Sequence, residues 1–415
     1  MGKLSLGFGD FVYSGLYPTT MRTNSLFILS FLLLLSFRVL GQQVDKIQGT
    51  IYNDKNKNGI RDKNEEGIAG VAVSDLVQVV KTDATGHYEI LNSKGFGFVF
   101  ISQPLGFNTS HWWQKIIVEK SSAIDFALVS STASTSFTFI HASDTHISEK
   151  SVDRMQKLRE IVAATKPDFV LITGDLIKDA LRVSEKEASG YYELYKKEIE
   201  KFSVPVWNVP GNHEIFGIER HQSLVSKTHP LYGKKMYHHY LGPNYFSFNY
   251  GGVHFVGLDD VDFEDLWYYG HVDSTQLTWL KADLANVPST APVITFNHIP
   301  FFSGGLSTNA FTETGPARTL EREQGVLQFR HVVSNAHEVV GVIKTHPYPI
   351  ALSGHNHVRQ VFWYETEGQK TRFEQTAAVV ESIREDNEVM PSGVTLYTVK
   401  DGKVDEGKFI PLDKK

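Results

Sequence analysis

From residue 136 onward, short apolar runs alternate with amphipathic stretches. Phe137 to Ala142, Phe169 to Thr173, Val204 to Val209, Val293 to Phe296 and Ile350 to Ser353 are apolar without a polar face. Strands covered on both sides read this way. Between the first two, Met155, Leu158, Ile161 and Val162 fall on one helical face before Pro167. Residues 184–202 carry helix formers, with Pro205 just beyond, and Ser274 to Leu284 reads as a capped helix bearing Leu277, Trp279, Leu280 and Leu284. Tyr245 to Tyr250 and Val253 to Leu258 flank Gly251-Gly252 as a hairpin, and residues 358–411 are mostly alternating strands. Strands alternating with helices and then giving way to strands predict an α/β fold, a layered sandwich of two sheets with helices outside.

The stretch 46–128 follows a different rule. Apolar and polar residues alternate in short runs, at Ile47 to Tyr52, Gly70 to Val73, Val77 to Thr82, Tyr88 to Leu91 and Phe98 to Ile101. That period of two predicts a small all-β sandwich over residues 42–130. Val129 to Thr135 is small and polar and reads as a linker, placed at 131–136, with the larger domain at 137–415. Ahead of both, Met21-Arg22 gives a basic start, Leu26 to Phe37 an apolar core, and Val39-Leu40-Gly41 a cut before Gln42. This is signal-peptide architecture, too short for a comfortable membrane span. Residues 1–41 are therefore expected to be a leader, with Met1 or Met21 as the start. The protein is expected to be exported to the periplasm or the medium, with no stable span after cleavage.

Composition narrows the chemistry. The chain has 415 residues, enough for two domains, and a formal charge of −6 gives no reason to expect nucleic acid. There is no cysteine. Disulfides, thiolate metal sites and a cysteine nucleophile are excluded, so any metal must be held by nitrogen and oxygen.

Such donors stand at the ends of the apolar runs. The first ends at Asp144 and His146, the second at Gly174-Asp175, the third at Gly211-Asn212-His213-Glu214, the fourth at His298, and the fifth at Gly354-His355-Asn356-His357. The ends of strands in an open α/β sheet are where ligands gather. Seven ligands, Asp144, His146, Asp175, Asn212, His298, His355 and His357, suit two metals. A pair of ions about 3.5–4 Å apart is best joined by a carboxylate, and Asp175, alone at its strand end, is the natural bridge. Nitrogen and carboxylate donors favour iron, manganese or zinc. His213, beside a ligand, is placed to donate to a phosphoryl oxygen or a leaving oxygen, or else to orient its neighbour. His254 lies within an alternating strand and reads as structural. The ring-rich insertion Met236 to Tyr240, and Trp267, Tyr268, His271, Phe301 and Phe302, are candidates for a pocket rim.

A second cation signal lies in the β region. From Asp54, side-chain oxygens fall at positions 1, 3, 5, 9 and 12 (Asp54, Asn56, Asn58, Asp62, Glu65), with Gly59 at 6 and the Ile60 carbonyl at 7. Calcium takes six to eight oxygens around a turn, and this spacing supplies them. The loop resembles the calcium loops of bacterial surface-protein β-repeats.

Taken in order, these strand-end residues resemble the calcineurin-like metallophosphoesterase superfamily over about residues 136–363, in its cyclic-nucleotide phosphodiesterase and acid-phosphatase-like branches. The Gln276 to Leu280 helix and His298-Ile299-Pro300 are also similar to those branches. The segment before it resembles the β domain preceding some bacterial phosphoesterases. The resemblance implies a layered αββα sandwich. It implies that Asp144, His146, Asp175 and His357 hold one metal, and that Asp175, Asn212, His298 and His355 hold the other. It further implies that His213 contacts the scissile phosphate or protonates the leaving group. The expectation is a phosphoesterase acting on small phosphate esters, mono- or diester, with a metal-bound hydroxide as nucleophile. The rival expectation is a surface-binding β module with an inactive metal site.

Overall fold

A computed structural model describes residues 46–91, 96–116, 123–132, 134–304, 320–323, 326–385 and 388–413. The proposed leader, 1–41, lies outside the described residues. Among those described, no helix is long and apolar enough to cross a membrane.

The β region forms two four-stranded sheets. One runs His87–Leu91, Lys46–Asn53, Phe126–Ser130, Phe107–Asn108; the other runs Val79–Lys81, Ala72–Ser74, Phe98–Ile101, Trp113–Lys115. Alternate residues of both, among them Ile47, Ile51, Val73, Tyr88, Ile90, Val99, Ile101, Phe126 and Leu128, close on a common core. The pleat dictates this, since successive side chains point to opposite faces.

Two six-stranded sheets form the centre of the rest, with three two-stranded ribbons besides among the described residues. In the first, Ser136–Ala142, Phe169–Thr173 and Val206–Val209 run parallel. Gly393–Lys400 pairs antiparallel to Ser136–Ala142. In the second, Val253–Gly257, Val293–Phe296, Ile350–Ser353 and Gln369–Gln375 run parallel, with an antiparallel strand at each edge. The apolar runs are unbroken because each strand is covered twice. Phe139, Phe169 and Leu171 face the second sheet, whereas Ile140, Val170 and Ile172 face the helices Val152–Thr165 and Glu185–Ile199. Helices Ser274–Leu284 and Ala336–Ile343 cover the other side through Trp279, Leu280, Leu284, Val339 and Ile343. This is the layered α/β sandwich, preceded by a β-rich region, that the pattern predicts.

The β region does not hang free of these layers. Leu76, Phe98 and Phe100 belong to the same buried core as the two large sheets. Trp279 Nε1 donates to Ser74 Oγ at 3.1 Å, Ser247 Oγ donates to Ser102 Oγ at 2.9 Å, and Asn249 N donates to Gln103 O at 2.9 Å. His254, expected to be structural, is buried with Nε2 2.8 Å from Asp283 Oδ2 and Nδ1 2.9 Å from Asn249 Oδ1.

Candidate metal centre

The strands that end in candidate ligands are the parallel ones, so their carboxyl ends lie along one edge of both sheets. At that edge the backbone turns sharply. Asp144, His146, Asp175, His355 and His357 all have positive φ, between 37° and 77°. L-residues rarely adopt this conformation, and it recurs where function demands a particular side-chain direction. Gly174 (φ 78°) precedes Asp175, and a Cβ there would stand 2.5–2.7 Å from the His298 side chain. A Cβ on Gly211 would collide with Asp175. Only glycine lets these strand ends come so close.

The side chains converge in two groups that share one residue. Ligand atoms of Asp144, His146, Asp175 and His357 lie within 4.8 Å of one another, as do those of Asp175, His298 and His355. Asp175 Oδ2 is 3.6 Å from His146 Nε2 and 3.3 Å from His298 Nε2, touching both groups. Asn212 joins the second, with Oδ1 3.2 Å from His298 Nε2.

Hydrogen bonds around the edge fix which nitrogens are bare. His298 Nδ1 lies 2.8 Å from Thr173 O, which can only accept, so Nδ1 carries the proton and Nε2 turns inward. His355 Nε2 lies 3.0 Å from Arg330 O, so its Nδ1 turns inward, 3.1 Å from His298 Nε2. His146 Nε2 and His357 Nε2 face each other at 3.2 Å. Buried Asp144 Oδ1 is paired with the His357 imidazole, 3.3 Å from its Nε2. With His298 neutral, the inward lone pairs of Asp175 Oδ2, Asn212 Oδ1, His298 Nε2 and His355 Nδ1 meet with no donor between them. That is a cation's environment.

The electrostatics agree. Burial holds His146 down at about 4, and burial followed by the charge of His298 holds His355 well below its ordinary value, so both are neutral imidazoles. Although burial opposes charge, the Asp175 carboxylate holds His298 up at about 10. Against the same opposition, the neighbouring histidines hold Asp144 at about 2 and Asp175 well below the usual range. Two buried carboxylates here demand positive charge, from a proton on His298 or from metal in its place.

His213 takes a different position. Its N–H donates to Asp175 Oδ1 at 2.9 Å, and its Nδ1 lies 2.6 Å from Lys178 O. That leaves Nε2 towards the cluster, 3.9 Å from Asp175 Oδ2, with the ring edge-on to His146 at 4.6 Å. A cavity of about 700 Å³ opens over the cluster, lined among others by His146, Lys178, His213, Tyr268, His331 and His355. Of the expected rim aromatics, Tyr268 does line it. The insertion does not: His238 and His239 line a separate cavity against Phe96 and Phe98 of the β region.

Two buried acids that are not among the seven candidate ligands hold the edge in shape. Glu214 accepts from Leu176 N (2.8 Å), Ile177 N (3.0 Å) and Gly211 N (2.6 Å), clamping two ligand-bearing turns together. Asp260 accepts from His298 N (3.2 Å), Ile299 N (3.1 Å) and Asn297 Nδ2 (2.7 Å). In the β region, Asp54 and Glu65 are buried. Asp54 accepts from Asn58 N (3.1 Å) and Gly59 N (2.8 Å), and Glu65 from Lys55 N (2.8 Å) and Asp62 N (3.0 Å). Asn56 and Asn58 are exposed, and their amides donate to Asp62 at 2.7 and 3.1 Å.

Residues 137–359 match the calcineurin-like phosphoesterase family, and residues 55–130 match the family described as the N terminal of calcineurin-like phosphoesterase. The first match spans more than half of the chain, which belongs to the calcineurin-like phosphoesterase family. With the donor cluster, that membership points to a dinuclear metal site. An uncharacterised protein of Schizosaccharomyces pombe is 24% identical over 229 residues, 46% of this chain and 51% of that protein. A probable glycerophosphodiester phosphodiesterase of Arcobacter nitrofigilis is 23% identical over 185 residues, 39% of this chain and 56% of that protein. The chain thus spans about half the length of these curated relatives. Among solved structures, a dimetal phosphatase from Danio rerio has a TM-score of 0.42 at 15% identity, covering 67% of this chain and 99% of that one. GAP50, the anchor in the inner membrane complex of Plasmodium, has a TM-score of 0.40 at 12% identity, covering 67% and 85%.

Proposed function

We propose that this protein is an exported hydrolase of small phosphate esters, working through two transition-metal ions at the strand-end cluster. The observation that carries the reading is the meeting of bare lone pairs from Asp175, Asn212, His298 and His355, continued through Asp175 to Asp144, His146 and His357. By their grouping, Asp144, His146, Asp175 and His357 would hold one ion, and Asp175, Asn212, His298 and His355 the other. Iron, manganese or zinc suits the donors. Ions bound there supply Lewis acidity to phosphoryl oxygens and lower the pKa of water.

The chain's own groups complete the chemistry. His213, held by its Nδ1 proton to Lys178 O, presents Nε2 to the cavity, where it protonates the leaving oxygen or holds a phosphoryl oxygen. Asp175 draws the two metal subsites together and fixes the His213 backbone. A cavity of about 700 Å³ suits a small ester. The relative named as a probable glycerophosphodiester phosphodiesterase supports including diesters, while monoesters use the same donor set. Export rests on the basic, apolar and small-residue order of residues 21–43.

The test is a panel of phosphomonoesters and phosphodiesters offered to the purified protein with manganese, zinc or iron supplied, alongside elemental analysis. Close to two ions per chain and metal-dependent turnover of at least one ester class are expected. Stoichiometry near zero after metal addition, with no turnover, would favour the β-module reading. A mature N-terminus near Gln42 in the exported fraction checks the leader.

A further inference from the structure

The second sheet has two unlike edges. At one, the β region covers the strand Phe246–Tyr250: Asn249 N donates to Gln103 O at 2.9 Å, and Phe248 forms a bridge with Gln103. At the other stands Gln360–Thr366, whose inner side pairs with Gln369–Gln375 in unbroken register. Among the described residues, nothing pairs with the outer side of Val361 to Glu365. Sheet edges are commonly guarded against other chains by shortness, lysine, proline or a bulge. The edges of the first sheet fit that rule. Val206–Val209, Lys403–Val404 and Lys408–Pro411 are short, and lysine or proline stands in or beside each.

Gln360–Thr366 has none of these guards. It is seven residues long, without lysine, proline or bulge. Val361, Phe362, Trp363 and Tyr364 follow one another and are 42–55% exposed. Its one charged residue, Glu365, is held by Lys370 of the same chain at 3.2 Å. A row of backbone N–H and C=O groups along such an edge is satisfied by another strand, whereas lipid or an apolar helix would leave it bare. The strand is also its own complement. When two copies pair antiparallel about a two-fold axis, directly opposed residues share a face, so the axis must pass through a residue. Trp363 is the midpoint. Centred there, Trp363 meets its counterpart, Phe362 meets Tyr364 of the second copy, and Val361 meets Glu365 of the second copy. Aromatic faces aromatic, and no charge faces a like charge.

We propose that the outer edge of Val361 to Glu365 is a docking surface for a second copy of this chain, the two strands pairing antiparallel about an axis at Trp363. The second sheets of both copies then run on as one continuous sheet, and the exposed aromatic residues are covered. This is independent of the phosphoesterase reading.

The experiment measures the mass of the purified protein in solution by sedimentation across the micromolar range, with a melting curve for each variant. The wild type is expected at twice the chain mass. Trp363→Lys places two like charges on the axis and should weaken self-association roughly tenfold or more. If it does not fold, Tyr364→Lys, which opposes a charge to Phe362 of the second copy, is read the same way. The register has its own readout, because the chain has no cysteine. Directly opposed residues have Cα atoms about 4.5–5.5 Å apart, within disulfide reach. Trp363→Cys should therefore form a covalent dimer when treated with oxidised glutathione. Val361→Cys, on the same face but about 13 Å from its counterpart along the strand, should not. A wild type that sediments as a monomer throughout, including one that instead floats with phospholipid vesicles, would overturn the proposal. So would a dimer indifferent to the lysine variants, or equal cross-linking at Val361 and Trp363.

Discussion

Two regions of this chain carry cation-binding sequence patterns, and the fold treats them differently. The loop Asp54 to Glu65 draws its oxygens from twelve consecutive residues, and the backbone N–H groups of the same loop already occupy the two buried carboxylates. The strand-end cluster draws its donors from five strand ends spread from Asp144 to His357, and its inward lone pairs face one another. A local loop can satisfy its own acceptors, because its donors are always nearby. Acceptors brought together by tertiary structure have no such recourse, and burial makes their mutual exposure costly. The cluster should therefore depend strongly on its cation, and the loop only weakly.

The sharpest way to break that contrast is Asp175→Asn. Asp175 Oδ2 touches both groups, so losing its charge removes the link and half of the buried negative charge. Metal content should fall from two towards zero and turnover to the background level. His146→Ala, which touches only the first group, should lose mainly one ion. Full metal content in the Asn variant, measured by elemental analysis, would show that the cluster does not share a bridging carboxylate.

Next in size is His213→Ala. His213 contacts the cluster without entering the inward-facing donor set, so both ions should remain while turnover drops by roughly 10²–10⁴, the range for a positioned acid or base. The drop should shrink for esters with good leaving groups if His213 protonates the leaving oxygen. An equal drop across leaving groups would assign it to holding the phosphate. Loss of an ion would move His213 into the donor set and weaken the distinction between metal holder and proton carrier.

The contrast also explains what could be read from the sequence. The five apolar runs were legible because strands covered on both faces need unbroken apolar stretches, and a chemical residue just past such a run announces an edge. The glycines before Asp175, Asn212 and His355 were visible too, and the structure gives the reason for all three: Gly174 packs against His298, Gly211 against Asp175, and Gly354 against Ser143 and Asp144. Glu214 stood in view beside His213, but its work, clamping the turns of two different strands, depends on which backbone N–H groups the fold brings to it. Asp260 and His331 carried no spacing signal. His331 lies 24 residues before His355, and the 2.9 Å approach of its Nδ1 to His355 Nε2 and the ring stack are made by the fold alone. The linker-like run after Ser130 marked where the β region ends but not what it packs on: Leu76, Phe98 and Phe100 join the core of the large sheets, because apolar residues at turns and edges do not reveal which partner covers them.

The smallest effect is expected from calcium at the Asp54–Glu65 loop. The oxygens stand at calcium-type spacing along the sequence, and Asp54 and Glu65 are buried while Asn56 and Asn58 are exposed. The N–H donors on Asp54 close the turn around Gly59, which has a φ of 73°. Calcium would therefore enter a loop already folded, gaining only what its oxygens offer beyond those hydrogen bonds. At extracellular-type affinities of about 10⁻⁴–10⁻³ M, tenfold saturation stabilises the folded state by about 1.4 kcal/mol. In a chain of this size that raises the melting temperature by only about 2 °C. Because the β region shares its core with the catalytic sheets, the shift should appear in the unfolding of the full chain. Glu65→Gln should blunt it, and ester turnover with the transition metals loaded should not change, since the loop supplies nothing to the cavity. A melting curve unmoved by calcium through that range would leave the loop fully satisfied by its own backbone. A shift of many degrees, with turnover rising alongside, would mean that the two cation sites are coupled through the shared core.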